Sequence, residues 1–263
     1  MSEPSAARPN LASSQILDIL NRGEFTSEYG ILRWSSNYAF LINLTLDGQD
    51  VTAVYKPQRG ERPLWDFPDG TLCYREQASF LTSHQLGWEI VPPTVLREGP
   101  RGLGSMQYYI EHDPQVNYFT FDEQFAPQLM RIAAFDYLVN NADRKGGHCL
   151  LDGEGHIWGI DHGISFNAAH KLRTVIWDYA GQSVPDAILE DMTRVAARLD
   201  EPNDAFPCAL AELLSDQEIA AFRRRLLKML KTRRYPMPGP LRSTAPLQLE
   251  RGRKPSGFRG EVV

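Results

Sequence analysis

Between Ala134 and Phe166 the chain runs Ala-Phe-Asp-Tyr-Leu-Val-Asn-Asn-Ala-Asp-Arg-Lys-Gly-Gly-His-Cys-Leu-Leu-Asp-Gly-Glu-Gly-His-Ile-Trp-Gly-Ile-Asp-His-Gly-Ile-Ser-Phe. No other stretch restricts the fold as much. Its apolar helical period stops near Val139, where Asn140 and Asn141 begin a polar loop carrying Asp143, Arg144 and His148. Gly146 and Gly147 let the backbone bend there. Cys149 to Leu151 reads as a strand, Asp152 to Gly155 as a hairpin turn, and Ile157 to Ile160 as the return strand, closed by Asp161-His162-Gly163. A hairpin of this kind gathers Asp143, His148 and Asp161 at one end of its strands. Two acids and an imidazole then surround one small space.

Phosphoryl transfer needs such a group: a carboxylate to receive the proton of the attacking hydroxyl, and ligands for cations that neutralise phosphate oxygens. The protein-kinase signature pairs a catalytic Asp with an Asn five positions on, then Asp-Phe-Gly. Here Asp143 is followed five positions later by His148, and Asp161-His162-Gly163 stands where Asp-Phe-Gly would. A zinc site built from His148, Cys149, His156 and His162 lacks paired spacing such as Cys-x-x-Cys.

Asn-Ala-Asp-Arg-Lys-Gly-Gly-His together with Ile-Asp-His-Gly resembles the catalytic and metal-binding motifs of the phosphatidylinositol 3-/4-kinase family. The match is nearest to the type II lipid-kinase branch and its bacterial relatives. The resemblance implies a two-lobed protein-kinase-like fold of the α+β class, with a small antiparallel β N-lobe and a mostly helical C-lobe. It implies ATP and Mg²⁺ or Mn²⁺ as cofactors. Asp143 would be the catalytic base, and Arg144 would steady the loop or the phosphates. Asp161 would be the main metal ligand and His148 a second one, with Asp136 supporting the loop. The departure is His148, a position usually held by Asn. Imidazole suits transition ions better than magnesium, so a preference for manganese is expected, with activity falling as pH drops through the histidine range.

The preceding chain reads as the N-lobe. Leu11 to Leu20 has a short helical pattern with Ser13 or Ser14 as N-cap and Gly23 as its end. Strands follow over Tyr29 to Trp34, Tyr38 to Leu46 and Val51 to Tyr55, the second with Phe40, Ile42, Leu44 and Leu46 on one face. The resemblance puts Ser36 and Asn37 over the phosphates, makes Lys56 in Val-Tyr-Lys-Pro the phosphate clamp, and pairs it with Glu76 on a helix from Gly70 to Leu86. A second hairpin turns at Gly99 to Gly102 and returns through Ile110. Tyr109, Ile110, Glu111 and His112 would form the hinge that recognises adenine.

Beyond the central stretch, a capping box at Thr120 to Glu123 leaves two outcomes at Pro127, a kinked helix or a fresh one starting near Phe125. Lys171 and Arg173, with His170, form a thin basic cluster in the activation-segment position. Pro185 to Leu199 and Ala209 to Leu230 read as amphipathic helices, with Ser215 starting the last. The basic end of that helix suits its dipole. Residues 1–10 and 235–263 read as disordered, leaving an N-lobe near 11–112 and a catalytic C-lobe near 113–234.

The net charge of −5 and pI near 5.7 argue against a general nucleic-acid binder. No apolar run has the length of a membrane helix, and peripheral membrane contact has no clear signal. Three widely spaced cysteines make a disulfide framework unexpected, so a reducing cytoplasm is the expected location. The expected activity is ATP- and metal-dependent phosphoryl transfer to a hydroxyl of a lipid, protein or small molecule. A nucleotide-binding pseudokinase and a nucleotidyl (AMP) transferase are the alternatives.

Overall fold

The period-two alternation around Phe40 becomes sheet. The computed structural model describes residues 11–31 and 38–239. β1 (Glu24–Ile31), β2 (Phe40–Leu46) and β3 (Gln49–Pro57) are successive antiparallel strands. Asp47 and Gly48 both have positive φ, 51° and 76°, the paired left-handed geometry of a tight two-residue hairpin turn. β4 (Thr94–Gly99) and β5 (Gly102–Tyr108) form the second hairpin. β5 pairs with β3, giving the order β1-β2-β3-β5-β4. Phe40, Ile42 and Leu44 are buried on one face, where they meet Ile16, Ile19 and Leu20 of α1 (Ser13–Arg22). Ala12, not a serine, occupies the N-cap of α1, and its N–H donates to Gln15 Oε1 at 2.9 Å.

The sheet is backed by α2 (Leu72–Leu86), which ends at Gly87 in the left-handed conformation, φ 69°. A larger core lies beyond α2. Its axis is α3 (Ala126–Val139), whose Ile132, Phe135, Leu138 and Val139 are all fully buried. Truncating one such aromatic to alanine costs about 3–5 kcal/mol, so α3 is a firm base for the loop that follows it. β6 (Cys149–Leu151) and β7 (Ile157–Gly159) make the small hairpin read from the sequence. α4 (Asp186–Leu199), α5 (Ala205–Ala211) and α6 (Asp216–Thr232) complete the helical part. Buried Arg75 of α2 reaches Glu218 of α6 at 2.6 Å and donates to Ser165 O, tying the two parts together. The architecture is α+β, as expected.

Several boundaries differ from the sequence reading. The strand expected over Tyr29 to Trp34 belongs to β1, which begins at Glu24; residues 32–34 lie outside the described residues. No capping box forms at Thr120 to Glu123: Asn117 caps a short turn instead, and α3 starts afresh at Ala126 with Pro127 in its first turn. Proline fits there because a first-turn N–H has no helical acceptor. Helical character expected over 209–230 divides into α5 and α6, separated where Glu218 Oε2 accepts from the Ser215 N–H and hydroxyl. Tyr235, expected in a disordered tail, is 4% exposed and donates its hydroxyl to Met130 O at 3.0 Å. Residues 1–10 and the rest of that tail from 240 lie outside the described residues. Among the described residues no helix is long and apolar enough to cross a membrane.

Candidate active site

Lys56 is the next-to-last residue of β3, opposite Ser105 of β5, and its ammonium turns toward α2. Nζ donates to Glu76 Oε1 at 2.5 Å and to Asp161 Oδ1 at 3.0 Å. Burial alone would lower the lysine pKa, but Asp161 and Glu76 outweigh it and hold the value above the ordinary one. The Lys56 charge in turn keeps the Asp161 carboxyl well below the usual carboxylate range despite burial, with His148 assisting. Both partners are therefore charged across the physiological range.

Glu76 has a second function in this arrangement. It sits inside α2, nearly fully buried, and its Oε2 accepts the His162 backbone N–H at 3.1 Å. One carboxylate thus fixes the lysine and the turn that presents Asp161. Asp161 itself has φ 62°. Residues other than glycine seldom adopt this left-handed region outside strained or functional positions.

Beneath the turn lies a fully buried ion pair. Arg144 Nε and Nη2 donate to Asp136 at 2.9–3.1 Å, with both side chains 0% exposed. Arg144 Nη1 donates to His148 O and Ile160 O, and Nη2 to His162 Nε2 at 2.6 Å. Arginine only donates, so His162 Nε2 accepts and its proton sits on Nδ1, a buried atom without a partner among the described residues. Asp136 also accepts from Asn141 Nδ2 and Thr174 Oγ1. Arg144, grouped with the catalytic residues in the sequence reading, is wholly engaged below the loop. Of its two expected positions the structure supports steadying the loop, not contact with phosphates.

Removing Asp136 would strand the Arg144 charge in the core. Asp136→Ala is expected to lower unfolding free energy by about 3–5 kcal/mol, readable in a urea titration. A loss under about 1 kcal/mol would mean the pair carries little of the loop's stability.

His148 follows the loop, its Nε2 3.6 Å from Asp161 Oδ2 and its Nδ1 buried without a partner among the described residues. Burial pushes its pKa down to about 4, against the pull of Asp161 and with help from Arg144 and Lys145. His162 is also held well below the ordinary histidine value, by burial, then by Arg144 and Lys56. The fall in activity expected across the ordinary histidine range therefore cannot come from His148, which stays neutral there. A stability effect takes its place. Both imidazoles are neutral when folded, while in the unfolded chain they protonate near pH 6.5. Their contribution is complete above that pH and declines as pH falls toward the folded values. Each should remove about 1 kcal/mol between roughly pH 7 and 5.5. Urea unfolding of the metal-free chain at these two pH values measures this, and equal stabilities would contradict it.

Asp143 opens onto the same space. Its N–H donates to Asn141 Oδ1, and its carboxylate faces Lys145 at 2.7 Å and Arg173 at 4.0 Å. Lys56, Glu76, Asp143 and Asp161 line one cavity of about 210 Å³. Such a volume suits the phosphate end of a nucleotide rather than all of it. Lys171 lies outside, paired with Asp66 at 2.9 Å and 4.5 Å from the Trp65 ring centre.

The remaining expected residues do not join the cluster. Ser36 and Asn37 lie outside the described residues. Tyr109 to His112 continue from β5 and do not line this cavity; the Tyr109 N–H donates to Thr52 O, and the Ile110 carbonyl is engaged by His112 Nδ1. Sequence reasoning missed Tyr38, Glu61 and Leu72, which share the lining. Glu61 accepts from the Leu72 and Cys73 N–H groups at the start of α2. A lone Glu in a loop of eleven intervening residues carries no periodic signal.

Asp161 and His148 offer donors for a divalent ion. Asp161 Oδ1 is taken by Lys56, whereas Oδ2 faces the His148 nitrogen at a spacing two ligands of one ion can have. Two protein ligands suffice where phosphate and water supply the others. The residues fit such an ion. No cluster of three or more His, Cys, Asp or Glu able to hold a metal alone occurs among the described residues.

Three comparisons bear on this geometry. The model of the family described as phosphatidylinositol 3- and 4-kinase matches residues 97–206. Protein Rv2133c of Mycobacterium tuberculosis is 39% identical over 257 residues, with 84% of this chain and 90% of that protein covered. The structure of hydra Fam20 with sugar shares the fold, with a TM-score of 0.50 at 15% identity, covering 83% of this chain and 88% of that one. The crystal structure of the Helicobacter pylori proinflammatory kinase CtkA gives a TM-score of 0.49 at 14% identity, covering 82% and 94%.

Proposed function

The chain belongs to the phosphatidylinositol 3-/4-kinase-like family, and from that premise we propose that it transfers a phosphoryl group from ATP to a hydroxyl acceptor. The observation that carries the reading is Lys56 Nζ held between Glu76 and Asp161 in the lining of a cavity that Asp143 shares. Two of the ammonium's three donors are used by the carboxylates. The third is left for a phosphate oxygen, and the two acids keep the lysine protonated for that task.

Asp143 accepts the proton of the attacking hydroxyl and orients it. Lys145 and Arg173 flank it at 2.7 Å and 4.0 Å. Asp161 and His148 are the residues that would hold a divalent cation, which supplies charge neutralisation of the phosphate oxygens. Arg144 and Asp136 do not touch the reactants; they set the height and direction of the loop. Proton acceptance, phosphate capture and metal ligation are then assigned to separate side chains.

Incubation with ATP labelled separately at the α- or γ-phosphate tests the proposal. Acceptor or protein labelled only from γ supports it. Label from α would make the reaction nucleotidyl transfer, and bound nucleotide without label would make the chain a binder.

His148 gives a sharper expectation. An imidazole beside Asp161 favours a transition ion over magnesium. Turnover should be several-fold faster with Mn²⁺ than Mg²⁺, and His148→Asn should raise the Mg²⁺ rate. Equal rates with both ions, unchanged in the variant, would remove His148 from the metal site.

A further inference from the structure

Away from the Lys56 cluster, α6 borders a cavity of about 650 Å³. Ala221, Arg224, Arg225, Lys228, Met229 and Thr232 face it, spaced by three, four, seven, eight and eleven residues from the first. That spacing is one stripe of a helix. Arg234 and His170 also line it, and among the described residues no Asp or Glu does.

The other cations near the end of α6 differ. Arg223 is paired with Asp200 at 2.5 Å, and Arg233 with Asp186. Arg224, Arg225 and Lys228 have no carboxylate partner among the described residues. Lys231 also lacks one among the described residues but does not line the cavity; three unmatched cations are thus gathered on the cavity side. Favourable charge at a helix C-terminus does not account for this gathering, because the dipole has no preference for one side of the helix.

Arg225 supplies a second, independent sign. Its Nε donates to Leu138 O at 2.8 Å, yet its Nη2 is buried without a partner among the described residues. A buried guanidinium N–H left unmatched is costly and calls for an explanation. Burial lowers the Arg225 pKa to about 10, and burial with Arg225 and Lys228 lowers that of His170. Both shifts follow from positive charge gathered in a partly dry space. The rest of the wall, including Met229, Met237 and Tyr235, is largely apolar.

The geometry points to a second ligand site: a phosphorylated small molecule, with its phosphate on Arg224, Arg225 and Lys228 and its apolar body against Met229 and Met237. Guanidinium forks match phosphate oxygens in paired hydrogen bonds, and the volume is that of a small-ligand pocket. The phosphate could belong to a soluble ester or to a lipid head group. The site also touches the loop of Asp143 through one atom. Asn167 O accepts from Arg225 Nη1 at 3.5 Å and from Asn140 Nδ2 at 2.8 Å.

Calorimetric titration of the full chain with phenyl phosphate tests the soluble arm. Flotation with phosphatidylcholine vesicles containing phosphatidic acid tests the lipid arm. Binding of either probe is expected, weakened roughly ten-fold or more by the Arg224→Ala/Lys228→Ala double variant, the loss of at least one charge-assisted hydrogen bond. Both side chains are exposed, so the variant should fold, and an unchanged thermal midpoint checks that. Lys56→Met should bind as wild type does. Phenyl phosphate alone binding identifies a soluble ligand, vesicles alone a head group, and both support the site. The proposal is overturned if neither probe binds at about 1 mM, if the double variant binds unchanged, or if Lys56→Met abolishes binding.

Discussion

Asp143→Asn is expected to lower turnover by about 10²–10⁴-fold, the usual cost of removing a positioned proton acceptor, while nucleotide affinity and stability stay near wild type. Asn keeps the shape and one carbonyl oxygen but cannot take a proton at neutral pH. The loss should therefore appear in kcat, with KM for ATP little changed, as for an interaction made only in the transition state. The backbone of residue 143 is positioned independently of its side chain, since its N–H donates to Asn141 Oδ1. Lys145 and Arg173 lose a partner in the variant, but both are exposed and can turn to water. Steady-state kinetics with a labelled γ-phosphate, alongside a urea titration, separate the outcomes. Activity within a few-fold of wild type would remove Asp143 from the mechanism, whatever its neighbours do.

The second large effect belongs to Lys56 and Glu76 together. Lys56→Met removes the cation that meets the phosphates and should cost about 10²–10³-fold in turnover, comparable to losing one electrostatic donor in a preorganised site. Glu76→Gln retains an oxygen for the His162 N–H yet loses the charge that holds Lys56 at 2.5 Å. The lysine then leans on Asp161 alone, so Asp161 Oδ1 is drawn further from any cation. Because both substitutions act on one ion pair, the double variant should be little worse than Lys56→Met. Residues in direct contact typically couple by 0.5–3 kcal/mol. Strictly additive losses would show that the two do not act as a unit.

Much of this was legible before any coordinates. Val-Tyr-Lys-Pro at a strand end, the Asp143 loop and Asp161-His162-Gly163 stand out because rare polar residues interrupt short apolar runs at turns. The α+β class came from the family resemblance, and the period-two strands followed by helical periods agree with it. Gly87 and the Ser215 cap mark helix ends by backbone and capping chemistry that acts over four residues. Each of these signals is local.

Tertiary packing decided the rest. The resemblance has Arg144 steadying the loop or the phosphates, and its side chain turns away from Asp143 to Asp136, eight residues back. Neighbours in sequence on an irregular loop point wherever the core has room, and a buried arginine goes where a carboxylate is buried with it. His148 has an ordinary titration range as a sequence symbol; burial between β6 and the loop moves it to about 4. Glu61 reaches the start of α2, and Arg75 reaches Glu218 across the molecule, through contacts between residues far apart in the chain. The basic run in α6 is plain in the sequence, but only the packed neighbours distinguish Arg223, matched by Asp200, from Arg225, whose donor is buried without one. By itself, the sequence determined which groups could do chemistry and roughly where the elements lie. Which charges meet, and which are left facing empty space, depends on long-range packing, because desolvation and pairing act between groups brought together only by the fold.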